Sequence, residues 1–118
     1  MNLLIVEDNE GMRRMIVKLV RPLAEQTYEC SDGVEALPSY TLYRPDWVLM
    51  DVKMKGLDGI SATRQIKASY PEANIMIVTD YDDADLREAA REAGAREYVT
   101  KENLLDVRRV LGARMPKA

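Results

Sequence analysis

Histidine is absent from this sequence of 118 residues, and cysteine occurs once, at Cys30. Without histidine the chain lacks the side chain that most often serves as general base, proton shuttle or transition-metal ligand. A single cysteine excludes a disulfide within the chain and is typical of a reducing compartment. The chemistry of this protein must therefore use carboxylates, hydroxyl groups and amines.

Long apolar runs are also missing, since no stretch approaches the roughly 18 residues of a membrane span. The N-terminus, with Met1 and Asn2 followed by a short apolar run and acids, is not a signal peptide. The net charge is −3, from 17 basic and 20 acidic residues, and gives no general attraction for nucleic acid. We expect a cytoplasmic protein that binds neither a membrane nor nucleic acid directly.

The hydrophobic content of 47% over 118 residues predicts one domain with a packed core. Short apolar runs alternate with segments of helical period, which is the pattern of five βα units. The predicted strands are residues 2–6, 27–31, 46–50, 74–79 and 96–100. The predicted helices are at about residues 9–23, 33–43, 60–67, 83–93 and 102–112, with Asn9 and Asp83 near two of their starts.

Three central strands are apolar throughout, without alternation: residues 3–6, 47–50 and 75–78. Such strands are covered on both faces, so the pattern predicts a parallel sheet between two layers of helices, an α/β fold. Met12 and Met15 in the first helix are expected to fill the core. Pro38 should kink the second helix or delay its start.

Reactive polar residues follow four of the strands, where each one ends. Glu7 and Asp8 follow the first strand, Asp51 the third, Thr79 closes the fourth and Lys101 follows the fifth. The carboxyl ends of parallel strands form the usual functional edge of an open sheet. We therefore expect three carboxylates, a hydroxyl group and an amine to converge, a set suited to a divalent cation and a phosphoryl group.

Any one of these acids would by itself more often face water than bind a ligand. Two carboxylates about 5 Å apart repel each other by on the order of 3 kcal/mol at an effective dielectric near 20. Three converging acids therefore favour a bound cation. Oxygen ligands without histidine or cysteine indicate Mg²⁺, with Mn²⁺ as an alternative.

Several motifs occur together in a fixed order: Val6-Glu7-Asp8, Leu49-Met50-Asp51, Val78-Thr79, Tyr98-Val99-Thr100-Lys101 and the loop at residues 54–59. In this order and spacing they resemble the receiver domain of two-component response regulators, the CheY-like family, over essentially the whole chain. The resemblance implies a flavodoxin-like, doubly wound (βα)5 three-layer sandwich with a five-stranded parallel sheet in the order 2-1-3-4-5. It also implies that residues 1–118 form one receiver domain, with no effector domain in this chain.

The same resemblance assigns roles to the residues at the strand ends. Asp51 would be the phosphoacceptor, and Thr79 and Lys101 would bind phosphoryl oxygens. Asp8 and Asp51 would bind Mg²⁺ directly, Lys53 through its backbone carbonyl, and Glu7 directly or through water.

The resemblance also implies a switch made by Thr79 and Tyr98, which would change the surface of the fourth helix, fifth strand and last helix after phosphorylation. Tyr98 can equally be a half-buried aromatic residue of its strand. Between Asp82 and Gly94 the fourth helix has mostly alanine on its apolar face, so it is expected to be weakly anchored.

Some positions depart from the family pattern. Lys55 and Glu102 stand where proline is usual, so the peptide bond before Glu102 is either trans or strained. Asp80 stands where a small or apolar residue is common, and its charge is expected to hinder phosphorylation. Lys53 and Tyr81 occupy positions that tune the lifetime of the acyl phosphate in the family.

These observations predict a phosphoacceptor receiver that is phosphorylated by a sensor histidine kinase, a phosphotransfer protein or a small phosphodonor. It would not be an enzyme in the ordinary sense, although it would assist its own phosphorylation and dephosphorylation. Its output would pass to a downstream protein or a missing effector domain, and a homodimer through the face of the last two helices and fifth strand is a further expectation.

Two alternatives remain open. A pseudo-receiver would be an interaction module that is never phosphorylated, and Asp80 favours that interpretation. A flavodoxin-like cofactor binder or an aspartyl phosphatase is disfavoured, because no Ser/Thr-rich loop follows the first strand and residues 51–53 contain no second acid.

Overall fold

The apolar runs form the strands of one parallel sheet in the computed structural model, which describes residues 1–114. The strands are β1 (Asn2–Val6), β2 (Gln26–Cys30), β3 (Trp47–Met50), β4 (Ile75–Thr79) and β5 (Glu97–Thr100). Their order is β2-β1-β3-β4-β5, which confirms the predicted fold and strand order. Residues 115–118 of the predicted domain lie outside the described residues.

Within this part of the chain, α-helices alternate with the strands. They are α1 (Glu10–Val20), α2 (Ala36–Tyr43), α3 (Gly59–Ser69), α4 (Ala84–Ala93) and α5 (Leu105–Arg114). Three of them begin after a side chain that accepts hydrogen bonds from the first turn: Asn9, Asp58 and Asp83. Such acceptors satisfy N–H groups that have no partner inside the helix, so they define where each helix begins.

The second and last helices begin later than the sequence pattern predicts. A 3₁₀ turn at Gly33–Glu35 precedes α2, so Pro38 lies in the first turn of the α-helix, where its missing N–H is not needed. The expected delay is thus confirmed. A second 3₁₀ turn, Lys101–Asn103, precedes α5, and the predicted start at residue 102 is wrong. All described peptide bonds are trans.

The two faces of the sheet support two separate cores. Leu4 and Val6 of β1 pack in the core with α2, α3 and α4, whereas Leu3 and Ile5 pack in the core with α1 and α5. All four side chains are fully buried, which explains why this strand shows no polar alternation. Met15 does not belong to either core, since it is 54% exposed, and that prediction is wrong.

The helix α4 buries little apolar surface. Its buried residues are Ala90 and Ala93, and Leu86 is half-buried. Because alanine side chains remove little area from water, their contribution to holding the helix is small. No helix in residues 1–114 has the length and hydropathy needed to cross a membrane.

Candidate functional site

The acids that follow β1 and β3 lie together at one edge of the sheet. The two strands are neighbours with Val6 opposite Met50, so Glu7 and Asp51 leave the sheet side by side. One carboxylate oxygen from each of Glu7, Asp8 and Asp51 lies within 4.8 Å of the others. Glu7 is 1% exposed and Asp51 7% exposed. The structure therefore brings the three predicted acids together, with Glu7 and Asp51 buried and Asp8 half-buried.

The backbone around Asp51 is held by its neighbours. The Asp51 N–H donates to the Val6 carbonyl oxygen at 3.0 Å. The Val52 N–H donates to Asp51 Oδ1 at 2.9 Å, and the Gly59 N–H donates to the Val52 carbonyl oxygen at 2.8 Å. The start of α3 is therefore tied directly to the loop that carries Asp51.

Gly59 is required by this close approach, because a β-carbon there would lie 1.7 Å from the carbonyl oxygen of Asp51. Gly59→Ala is expected to force the loop after β3 outward and to lower the free energy of unfolding by about 3 kcal/mol, at the upper end for overpacking. Urea denaturation measures the change. The matched control is Gly112→Ala, where the added carbon meets no heavy atom of the described residues within 4 Å, apart from its chain neighbours and its own helix backbone. Equal stability of the Gly59→Ala and wild-type proteins would contradict the contact.

Lys101 reaches into the same pocket from the end of β5. Its Nζ lies 2.7 Å from Glu7 Oε1, 3.3 Å from Asp51 Oδ1 and 4.0 Å from Asp80 Oδ2. The Lys101 side chain is 8% exposed, whereas that of Asp80 is 69% exposed. The ammonium group is thus a buried counter-ion for two acids and a nearby cation for a third.

Burial and charge shift the acidity of both central groups. The pKa of Asp51 is raised from 3.8 to about 7, mainly by burial and also by the adjacent Glu7 carboxyl, while Lys101 opposes the rise. Burial alone would lower the pKa of Lys101, but the carboxylates of Glu7, Asp51 and Asp80 outweigh it and the pKa is raised. Near pH 7 the Lys101 amine is therefore charged, whereas the Asp51 carboxyl is only partly ionised.

Glu7 retains one oxygen that could accept a cation. Its Oε2 accepts from the Asn9 N–H at 3.1 Å. Among residues 1–114 its buried Oε1 has no aligned hydrogen-bond donor, although Lys101 Nζ is close enough for an ion pair. Buried carboxylate oxygens usually have their lone pairs satisfied, and hard divalent cations prefer such oxygens. The residues present therefore fit a divalent cation.

Thr79 and Tyr98 both contact Tyr81, in the loop between β4 and α4. The buried Thr79 Oγ1 accepts from the Tyr81 N–H at 3.4 Å. The Tyr98 hydroxyl donates to the Tyr81 carbonyl oxygen at 2.5 Å. On the other side of the pocket, Lys53 Nζ lies 4.6 Å from the centre of the Tyr81 ring. The loops after β3 and β4 therefore meet beside Asp51.

One residue near the site is absent from the sequence-based prediction. Arg13 of α1 donates from Nη1 to the Glu7 carbonyl oxygen at 2.8 Å and from Nε to Glu29 Oε1 at 3.0 Å. Its side chain is 17% exposed. Its partners follow β1 or lie in β2, so spacing within α1 gives no signal for this contact.

The family model described as the response regulator receiver domain matches residues 3–110. The chain belongs to this family. Receiver domains of two-component response regulators are signalling domains that interact with histidine kinases or phosphotransfer proteins, and they bind Mg²⁺ through an acidic cluster. The resemblance seen in the motifs is thereby confirmed.

Relatives of this receiver domain include sporulation initiation phosphotransferase F of Bacillus subtilis, with 32% identity over 99 residues, 84% of this chain and 80% of that protein. The chemotaxis protein CheY of Halobacterium salinarum is 38% identical over 98 residues, 83% of this chain and 82% of that protein. The crystal structure of a LuxR-family two-component response regulator from an Aurantimonas species superposes with a TM-score of 0.84 at 31% identity, covering 96% of this chain and 86% of that one.

Proposed function

We propose that this receiver domain accepts a phosphoryl group on Asp51 from a sensor histidine kinase or a phosphotransfer protein, in a reaction that requires Mg²⁺ or Mn²⁺. The observation that carries the proposal is the buried Lys101 ammonium between Glu7 and Asp51. Three acids around one amine leave an excess of negative charge that a divalent cation would neutralise. The Lys101 ammonium would then pair with an oxygen of the phosphoryl group.

In the proposed reaction a carboxylate oxygen of Asp51 attacks the phosphorus of a phosphohistidine. An acyl-phosphate bond forms, and the phosphorus–nitrogen bond breaks with its electron pair leaving on the histidine nitrogen. The Lys101 ammonium and the Thr79 hydroxyl bind phosphoryl oxygens. Phosphoryl transfer depends mainly on alignment and neutralisation of charge, so these groups suffice without a general base.

The proposed cation ligands are Asp8 and Asp51, the backbone carbonyl of Lys53, and Glu7 directly or through water. Bound there, the cation supplies charge that lowers the repulsion between the carboxylate and the incoming phosphate. The domain thereby assists its own phosphorylation and, by admitting water, its dephosphorylation. Lys53 and Tyr81, which lie against each other beside Asp51, control the access of that water.

The proposed output is a change in the face formed by α4, β5 and α5. Thr79 and Tyr98 are both hydrogen-bonded to Tyr81. Moving the Thr79 hydroxyl toward a phosphoryl group would therefore disturb the hydrogen bond between Tyr98 and Tyr81. The weakly anchored α4 can then adjust at little cost. A downstream protein or an effector domain, in the cytoplasm, would read this face.

Radiolabelled acetyl phosphate tests the proposal. We expect label on the wild-type protein with Mg²⁺, little without Mg²⁺, and none on Asp51→Asn at any Mg²⁺ concentration. Intact-mass measurement should show one phosphoryl group. Labelling that persists in Asp51→Asn would exclude this acceptor.

A pseudo-receiver that is never phosphorylated is the second candidate, and the position of Asp80 favours it. Its carboxylate is the third acid near Lys101, so it both attracts the ammonium and repels an approaching phosphate. Absence of label from the wild-type protein with every phosphodonor, together with Mg²⁺ binding, would support this alternative.

Removing the Asp80 charge is expected to speed labelling by acetyl phosphate. Because the side chain is 69% exposed, solvent screens its charge, and we expect Asp80→Asn to react about two- to fivefold faster, the equivalent of about 0.5–1 kcal/mol. The gain should shrink as salt is added. Glu102→Gln removes an exposed charge that is adjacent to Lys101 in sequence and is the matched control. Equal rates for Asp80→Asn and wild type would show that the departure from the family pattern is harmless.

A further inference from the structure

Two acids of the proposed cation site are consecutive in sequence, and the peptide unit between them sets their geometry. The strand β1 ends at Val6, one residue before Glu7. Side chains of consecutive residues in a strand point to opposite faces, yet carboxylate oxygens of Glu7 and Asp8 lie within 4.8 Å of each other. The chain bends at Asp8, so the orientation of the peptide unit between Glu7 and Asp8 decides whether both carboxylates face the same cation.

Arg13 of α1 holds this peptide unit by its carbonyl oxygen. The carbonyl oxygen of Val6, the last residue of β1, accepts from the Asp51 N–H at 3.0 Å, so the neighbouring chain after β3 supplies its donor. The Glu7 carbonyl lies beyond the strand and accepts from Arg13 Nη1 at 2.8 Å. The Glu7 N–H donates to the Cys30 carbonyl oxygen at 3.0 Å. The backbone of Glu7 is thus held both from β2 and from α1.

The guanidinium group of Arg13 is itself held by β2. Its Nε donates to Glu29 Oε1 at 3.0 Å, and Glu29 lies opposite Ile5 in the parallel pair of β1 and β2. Because a guanidinium is planar, an acceptor at Nε limits the directions in which Nη1 can donate. The side chain of Arg13 is 17% exposed and that of Glu29 47%, so water screens this bridge only in part. Arg13 thereby ties the bend at Asp8 to the sheet as well as to α1.

We infer that Arg13 is a positioning residue of the cation site, one that orients the peptide unit between Glu7 and Asp8 so that both carboxylates meet the ion. This inference rests on the cation site of the proposed function. Removing a group that orients metal ligands commonly weakens metal binding about 10- to 100-fold. The backbone of Asp51 is bonded separately to Val6, so the attack by Asp51 should depend little on Arg13 once a cation is bound.

The sign of the effect distinguishes positioning from charge. If only its charge mattered, Arg13 would repel a cation near Glu7, and Arg13→Met would tighten the binding of a divalent cation. Loss of the orienting hydrogen bond predicts weaker binding instead. Electron paramagnetic resonance of free Mn²⁺ measures the Kd without any phosphodonor. We expect Arg13→Met to raise the Kd about tenfold, and Arg13→Lys, which keeps the charge but has no planar fork to bridge two partners, to raise it about threefold.

The matched control is Arg14→Met, which removes the same charge from the next residue of α1. The Arg14 side chain is 75% exposed and has its own acidic partner, Glu10, so solvent screens its charge. We expect its Kd for Mn²⁺ to change less than about twofold. Circular dichroism establishes that each variant is folded during the measurement, and Arg13→Lys decides the question if Arg13→Met does not fold.

Glu29 provides a second test, because it contacts the guanidinium group of Arg13. Glu29→Met should weaken Mn²⁺ binding in the wild-type background but not in Arg13→Met, where the guanidinium that it anchors is missing. If the Glu29 carboxylate acted on the cation through its charge alone, its effect would persist without Arg13, and the two changes would be additive.

A Kd for Mn²⁺ that is unchanged or lower in Arg13→Met, or an equal loss of affinity in Arg14→Met, would overturn the positioning role. Labelling of the wild-type protein by acetyl phosphate separates the two proposals. Label on wild type, together with unchanged Mn²⁺ binding in Arg13→Met, keeps the receiver function and removes the role of Arg13. Weaker Mn²⁺ binding in Arg13→Met, with no label on wild type from any phosphodonor, keeps the role of Arg13 and removes phosphorylation.

Discussion

Metal-free protein with Asp51→Asn is expected to be more stable than wild type by up to about 4 kcal/mol at pH 8, the equivalent of about three pKa units at 1.4 kcal/mol each. In the folded protein the pKa of Asp51 is about 7 rather than 3.8, because the side chain is buried beside Glu7. At pH 8 the folded protein therefore holds an ionised carboxylate that the unfolded chain accommodates more easily. Asparagine keeps the shape and removes the charge. Equilibrium urea denaturation in EDTA measures the difference.

The pH dependence of this difference identifies its cause. A carboxyl group whose pKa is raised by folding stabilises the fold while it is protonated, and that contribution is lost as the pH rises from about 4 through about 7. The advantage of Asp51→Asn should thus be smaller at pH 5 than at pH 8. Asp85→Asn, an exposed acid of α4, should show no comparable change. A constant advantage at both pH values would mean that the burial of charge is not responsible.

Magnesium should reverse the order of stability of the wild-type and Asp51→Asn proteins. A ligand that binds the folded state stabilises it in proportion to the logarithm of its concentration over its Kd. Wild type offers three carboxylates and Asp51→Asn only two, so Mg²⁺ should raise the melting temperature of wild type more. Equal shifts in the two proteins would weigh heavily against a cation site at Asp51.

Most of the fold could be predicted because each strand of a covered parallel sheet needs apolar side chains on both faces. Leu3 and Leu4 show this directly, since adjacent residues enter different cores. The helix starts were harder to predict, because short 3₁₀ turns before α2 and α5 satisfy N–H groups without changing the apolar period. Met15 was misplaced for a related reason. It precedes Ile16 and Val17, which face the core, and one residue is about 100° of helical rotation.

The sequence predicted that the side chains at the strand ends converge, but it did not predict which of them form ion pairs. Strand order alone sets Glu7 beside Asp51, and the spacing of the motifs reveals that order. The distances from Lys101 Nζ to Glu7 and to Asp51 differ by less than 1 Å, and sequence cannot resolve so small a difference. Arg13 is hydrogen-bonded to a backbone carbonyl. Because every residue has such a carbonyl, the sequence does not indicate which one Arg13 contacts.

Lys101→Met is expected to destabilise the metal-free protein by about 3–5 kcal/mol at pH 8, the usual effect of removing one partner from a buried ion pair. Methionine fills a similar volume, but Glu7 is 1% exposed and no other donor in the described part of the chain is aligned with its Oε1 to replace the ammonium. The loss should shrink at pH 5, where the pair of acids can share a proton instead of remaining charged. Urea denaturation in EDTA gives the value, and Mg²⁺ should restore part of it. Lys18→Met, on the exposed side of α1, is the control.

A double-mutant cycle shows whether Lys101 interacts more strongly with Glu7 or with Asp51. The Nζ lies 2.7 Å from Glu7 but 3.3 Å from Asp51, and Glu7 is the more buried of the two. Adding Lys101→Met to Glu7→Gln should therefore cost much less than adding it to wild type, whereas adding it to Asp51→Asn should retain most of the cost. Coupling between contacting residues reaches about 0.5–3 kcal/mol, well above the error of the measurement. The opposite ranking, with coupling to Asp51 dominant, would mean that Lys101 already occupies the position proposed for phosphoryl binding in the protein without phosphate.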